Sequence, residues 1–88
     1  MPRYLIERLF PDGLELPARS AGRAVVERNA DHGVTWLHSY VSADRKKTFC
    51  IYEAPTPEAI RKTAALNELP VERITEVHVL DPYVYRRR

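Results

Sequence analysis

The sequence predicts an α+β domain with the order β-α-β-β-α-β, a four-stranded antiparallel sheet carrying two helices on one face. Three observations predict it. Four short runs rich in β-branched and aromatic residues begin near Arg3, Val34, Thr48 and Glu72. Two segments with apolar residues at three- and four-residue spacing follow the first and third runs. Proline and glycine clusters punctuate the joints.

Strand 1 is read over Arg3 to Phe10 and ends at the turn signal Pro11-Asp12-Gly13. Pro17 can open helix 1 at its first position, and the helix runs to Arg28. Ala18, Ala21, Ala24 and Val25 share its inward face, small enough to lie close on a sheet. Gly33 is the expected residue of positive φ after its end. His32, near that C-terminus, reads as a cap, because the negative end of the dipole favours a cation.

Strand 2 spans Val34 to Val41 and strand 3 spans Thr48 to Ala54, stopped by Pro55. Thr56-Pro57-Glu58 then carries a hydroxyl cap, a proline at the first helical position and an acid at the positive end of the dipole. Helix 2 runs to about Leu69 before Pro70, with Ala59, Ile60, Thr63, Ala64 and Asn67 inward. Strand 4 covers Glu72 to Leu80. This is the ferredoxin-like order, and right-handed crossovers place strands 1 and 3 in the centre of the sheet.

Side chains alternate along each strand. Ile6, Leu37, Val41, Phe49, Ile51, Val77 and Val79 suit the helix-covered side. The other side then collects Glu7, Trp36, His38, Tyr40, Cys50, Tyr52, Glu76 and His78. That division makes a demand on the hairpin between strands 2 and 3. His38 joins Cys50 and Tyr52 only if the loop holds an odd number of residues, such as Asp44-Arg45-Lys46, or if a bulge intervenes.

The chain has 88 residues, 44% hydrophobic and 30% charged, the composition of a single globular domain over residues 1–88. A domain of this size buries about two thirds of its unfolded surface, so a homodimer that buries more is expected. The polar and aromatic side of the sheet suits such an interface, with Trp36, Tyr40 and Tyr52 as pocket or interface residues. Net charge is +2, and the last three residues, Arg86-Arg87-Arg88, are all basic. The body is near neutral, which argues against a nucleic-acid surface, and the tail reads as a frayed end. One cysteine excludes an internal disulfide and fits a reducing, cytoplasmic setting. No apolar run reaches the length of about 18 residues that a membrane span needs.

Glu7, His38, Cys50, Glu76 and His78 are the candidate metal ligands. Imidazole suits nickel, zinc and copper, and a thiolate or carboxylate can complete the shell. No local metal motif such as C-x-x-C or H-x-x-x-H is present. His38 and His78 fall on opposite edges, about 14 Å apart at roughly 4.8 Å per strand step, so one copy does not bring both to one ion. Glu7 with Cys50, or His38 with Cys50, is within easier reach, and a partner copy would supply the rest. Glu7 stands out because a carboxylate on a central strand is costly unless paired. Cys50 reads equally as a small packed hydrophobe.

Several phrases together resemble one small bacterial family. They are Tyr4-Leu5-Ile6-Glu7-Arg8, His38-Ser39-Tyr40-Val41, Cys50-Ile51-Tyr52-Glu53-Ala54-Pro55, Glu58-Ala59-Ile60-Arg61 and Arg73-Ile74-Thr75-Glu76-Val77. The chain resembles an uncharacterised-domain family whose described member is a nickel-binding, ferredoxin-like protein of actinomycetes. The resemblance implies a cytosolic homodimer and nickel or another divalent metal. Glu7, His38 and Cys50 are the polar positions that match it. His78 lies outside the matching phrases. Helix 1 is shorter than the family pattern.

Three functions follow from these observations. One is a dimer that binds a divalent metal on the sheet face. The second is a metal-independent small-molecule binder or enzyme of the dimeric α+β barrel type, with His38 or Glu7 as the acid–base group. The third is an interaction domain whose aromatics seal an interface.

Overall fold

The computed structural model describes residues 1–14 and 19–86. Its elements are β1 (Arg3–Leu9), α1 (Arg19–Ala30), β2 (Thr35–Val41), β3 (Lys47–Glu53), α2 (Pro57–Leu66), β4 (Arg73–Val77) and α3 (Tyr83–Arg86). The four strands form one antiparallel sheet in the order β2-β3-β1-β4, as the ferredoxin-like reading expects. The four-residue α3 is an addition. The expected helix start at Pro17 and Ala18 and the tail residues Arg87 and Arg88 lie outside the described residues, as does the Ala21 side chain. Val25 is half-buried in α1 as expected, whereas Ala24 is exposed.

Both long helices end in the same way. After α1, Val34 N–H donates to the Asn29 carbonyl at 2.9 Å and Gly33 N–H donates to the Ala30 carbonyl at 3.0 Å. After α2, Leu69 N–H donates to the Ala64 carbonyl at 2.8 Å and Glu68 N–H donates to the Ala65 carbonyl at 3.1 Å. These are Schellman pairs, which require a left-handed residue at the turn. Gly33 takes it at φ 72° without strain, and Glu68 takes it at φ 56° at a steric cost. At the other end of α2, Thr56 Oγ1 accepts from Ala59 N–H at 3.2 Å with Pro57 behind it, the start signal read from the sequence.

The core lies between the sheet and the helices. Tyr4 and Ile6 of β1 sit beside Tyr52 and Cys50 of β3, under Val34, Ile60 and Ala54. Ile6 and Ile60 are fully buried, and each contributes about 2 kcal/mol through apolar burial. The burial alternation of β1 is as expected, with Tyr4 and Ile6 inward and Leu5, Glu7 and Leu9 on the other side.

The hairpin corrects the face assignment. Ser42 N–H donates to the Lys47 carbonyl at 2.9 Å, which leaves the four residues Ala43 to Lys46 as the loop. An even loop pairs Val41 with Thr48, Tyr40 with Phe49 and His38 with Ile51. A bulge does occur, but it lies beyond His38, between Trp36 and His38. The result divides the expected set. Trp36, Cys50 and Tyr52 turn toward the helices, while His38 and Tyr40 stay on the open side with Phe49 and Ile51. β4 is corrected in the same sense. Ile74 pairs with Ile6 on the helix side, so Val77 is on the open side, and Glu76, opposite Tyr4, is on the helix side. Val79 lies past the strand and is exposed.

Candidate functional site

The uncovered side of the sheet is built in rows. Tyr40, Phe49, Glu7 and Arg73 form one, and His38, Ile51, Leu5 and Thr75 form the next. Leu5, Glu7, Phe49 and Ile51 are half-buried by their neighbours. The His38 and Tyr40 rings meet edge to face, with centroids 5.3 Å apart and planes at 88°. At the far end Arg3 Nε donates to Glu53 Oε1 at 3.3 Å, an exposed pair of small energetic weight.

Glu7 and His38 therefore share the open side, but β3 stands between their strands. Two strand steps keep them about 10 Å apart laterally. Cys50 does not join them. It is buried on the opposite side, where its thiol donates to Thr48 Oγ1 at 3.8 Å. The cause is the β1–β3 register, which sets Cys50 opposite Ile6 and Phe49 opposite Glu7. Glu76 and His78 come together at the β4 edge, with Oε2 and Nε2 3.8 Å apart and both side chains largely exposed. Among the described residues no three His, Cys, Asp or Glu side chains form a group able to hold a metal ion. The donors fit nickel in kind, imidazole with carboxylate, while the number in one chain falls short.

The helix-covered side holds a cavity of about 280 Å³ under α1, lined by Val25, Trp36, Cys50, Tyr52 and Leu69 among others. Arg8 reaches into this layer because it continues the inward parity of Tyr4 and Ile6. It is 4% exposed. Its Nη1 donates to the Pro70 carbonyl at 2.8 Å and its Nη2 to Tyr52 Oη at 3.2 Å. Its Cζ lies 5.9 Å from the centre of the Tyr52 ring, a cation–π distance. Among the described residues no carboxylate pairs with it. Burial raises the Tyr52 hydroxyl pKa above the usual tyrosine value, and the adjacent Arg8 charge and hydrogen bond oppose that rise.

Arg8 and Asn29 are polar core residues that the sequence reading does not single out. Asn29 is 1% exposed; its Oδ1 accepts from Asn67 Nδ2 at 3.2 Å, and Asn67 Oδ1 accepts from Arg28 at 2.7 Å, which ties α1 to α2. A signal for Arg8 is present: the Tyr4-x-Ile6-x-Arg8 alternation carries a guanidinium into the buried set.

Fold and surface define a small ferredoxin-like α+β protein with an uncovered aromatic and polar sheet face. The chain belongs to the family of nickel responsive proteins similar to SCO4226, whose model matches residues 4–77. The structure is similar to the crystal structure of SCO4226 from Streptomyces coelicolor A3(2), with a TM-score of 0.75 at 16% identity. The match covers 90% of this chain and 99% of that one. No curated protein matches the chain by sequence.

Proposed function

We propose that this protein binds nickel or a similar divalent ion, with the Glu76–His78 pair at the β4 edge supplying donors and a second copy supplying the rest. The single observation that carries the reading is the Glu76–His78 pair, 3.8 Å apart. Two ligands each about 2.1 Å from one ion lie at most about 4.2 Å apart, so this pair is within reach of a shared metal. The description of the family as nickel responsive supports the choice of ion. Glu7 and His38 on the open side are the second set of donors. Cys50 is left out, because its thiol is buried beneath the helices.

A homodimer supports this function in two ways. It covers Leu5, Phe49 and Ile51, and it supplies donors that one copy lacks. No helix among the described residues is long and apolar enough to cross a membrane. Calorimetric titration of Ni²⁺ into metal-free protein is expected to show saturable binding. The double variant Glu76→Ala/His78→Ala should weaken it at least tenfold, and Glu7→Ala/His38→Ala should weaken it less. Equal binding by wild type and both double variants would sink the assignment.

A further inference from the structure

We infer that the cavity beneath α1 is a binding site for a small apolar monocarboxylate, whose carboxylate pairs with the Arg8 guanidinium and whose body fills the space against Trp36 and Val25. This goes beyond the metal reading and uses a different part of the molecule.

Two independent observations point there. The first is the cavity itself. Its volume of about 280 Å³ exceeds the roughly 150 Å³ of an engineered apolar cavity that takes up benzene. Its walls are mainly apolar, so a hydrocarbon chain or ring is the occupant they suit. The second is a charge buried beside it. Among the described residues, Arg8 is a buried cation held by one backbone carbonyl and one phenol, both neutral. A buried charge is ordinarily matched by an opposite charge, because neutral hydrogen bonds replace only part of its lost hydration. The guanidinium fork fits a carboxylate bidentately, which a phenol and a carbonyl do not exploit.

The surroundings extend the match. Thr48 is directly opposite Arg8 in the sheet, and Thr48 and Cys50 line the same cavity. A bound carboxylate would thus meet a cation and a hydroxyl donor, while its body meets aliphatic and indole surface. An alcohol of the same length would gain the apolar contacts without the charge pairing. The site therefore discriminates by charge.

Trp36 is the one tryptophan in the sequence and lines the cavity, so its emission reports occupancy. Octanoate and 1-octanol are the probes, titrated against full-length protein by Trp36 emission and by calorimetry. Octanoate should bind saturably and at least tenfold tighter than 1-octanol. Arg8→Gln should remove that preference, and Val25→Phe, which fills the cavity from α1, should weaken octanoate at least tenfold. If Arg8→Gln does not fold, Arg8→Lys retains the charge without the fork and should keep the preference at reduced affinity. Equal affinity for the two probes in wild type overturns the proposal. So does an absence of saturable octanoate binding in both measurements, or undiminished octanoate binding in folded Val25→Phe.

Discussion

Trp36 Nε1 donates a hydrogen bond to Ser39 Oγ at 2.8 Å, although the two residues stand three apart on one strand. In an unbroken strand, residues at odd spacing face opposite sides of the sheet. The bulge at Leu37 adds one residue, so both turn toward the helices, opposite Tyr52 and Cys50. The bond spans the irregularity and pins it. The same bulge separates Trp36 from His38, two residues that strict alternation would put on one face.

Ser39→Ala should test that pin. It leaves the half-buried Trp36 N–H without its acceptor, at a cost of about 1 kcal/mol. Urea unfolding followed by far-UV circular dichroism measures the loss. Unaltered stability would mean that the strand register alone holds the bulge.

The two Schellman turns make opposite predictions. Glu68 sits at φ 56°, so Glu68→Gly should stabilise the fold by about 1 kcal/mol by removing the left-handed strain. Gly33 sits at φ 72°, so Gly33→Ala should destabilise by about 1 kcal/mol. Gly22, inside α1 with open space where an alanine methyl would stand, supplies the control: Gly22→Ala should stabilise by about 0.5–1 kcal/mol. Thermal unfolding of the three variants under one buffer compares them.

Stability should fall at both ends of the pH scale for separate reasons. Asp44 Oδ1 accepts from Ser42 Oγ at 2.7 Å and from Lys46 N–H at 2.9 Å, which holds its carboxyl below the usual carboxylate range. A lowered folded pKa gives stability that is present above about pH 4 and is lost as pH falls through the folded value. Tyr52 behaves oppositely. Its raised folded pKa gives stability that is present below about pH 10 and is lost as pH rises through the folded value. Denaturant midpoints measured from acid to alkaline pH should show both arms. Asp44→Asn should flatten the acid arm alone, and Tyr52→Phe should reduce the alkaline arm alone.

The open side of the sheet should drive self-association. Leu5, Phe49 and Ile51 form an apolar strip through its middle, beside the 63% exposed Tyr40. Sedimentation of wild type is expected to show a dimer, and Phe49→Asp is expected to shift it to monomer with the fold retained. A monomeric wild type at high micromolar concentration would overturn the interface.

Much of the fold is legible in the sequence because its signals are local. The Thr56-Pro57 cap, the Gly33 turn and the Tyr4-Ile6 alternation each depend on a few neighbouring residues, and the structure shows all three. The site is less legible, because it depends on which strand faces meet. Cys50 and Tyr52 share a face with His38 only across an odd loop or a bulge between them. The loop Ala43 to Lys46 is even, and Arg45 accommodates it with φ 61° although it is not glycine. Nothing in the residue types of that loop announces its length.

The sequence by itself determined the element order, the two central strands and the chemistry available to the sheet. Periodicity and capping are short-range, and right-handed crossover leaves one sensible arrangement of the strands. Only the tertiary structure decided which side each residue takes. The strand period is two, so a single residue in a loop or bulge reverses everything beyond it. The even loop and the bulge turned Trp36 toward the helices with Cys50 and Tyr52 and left His38 on the open side with Glu7.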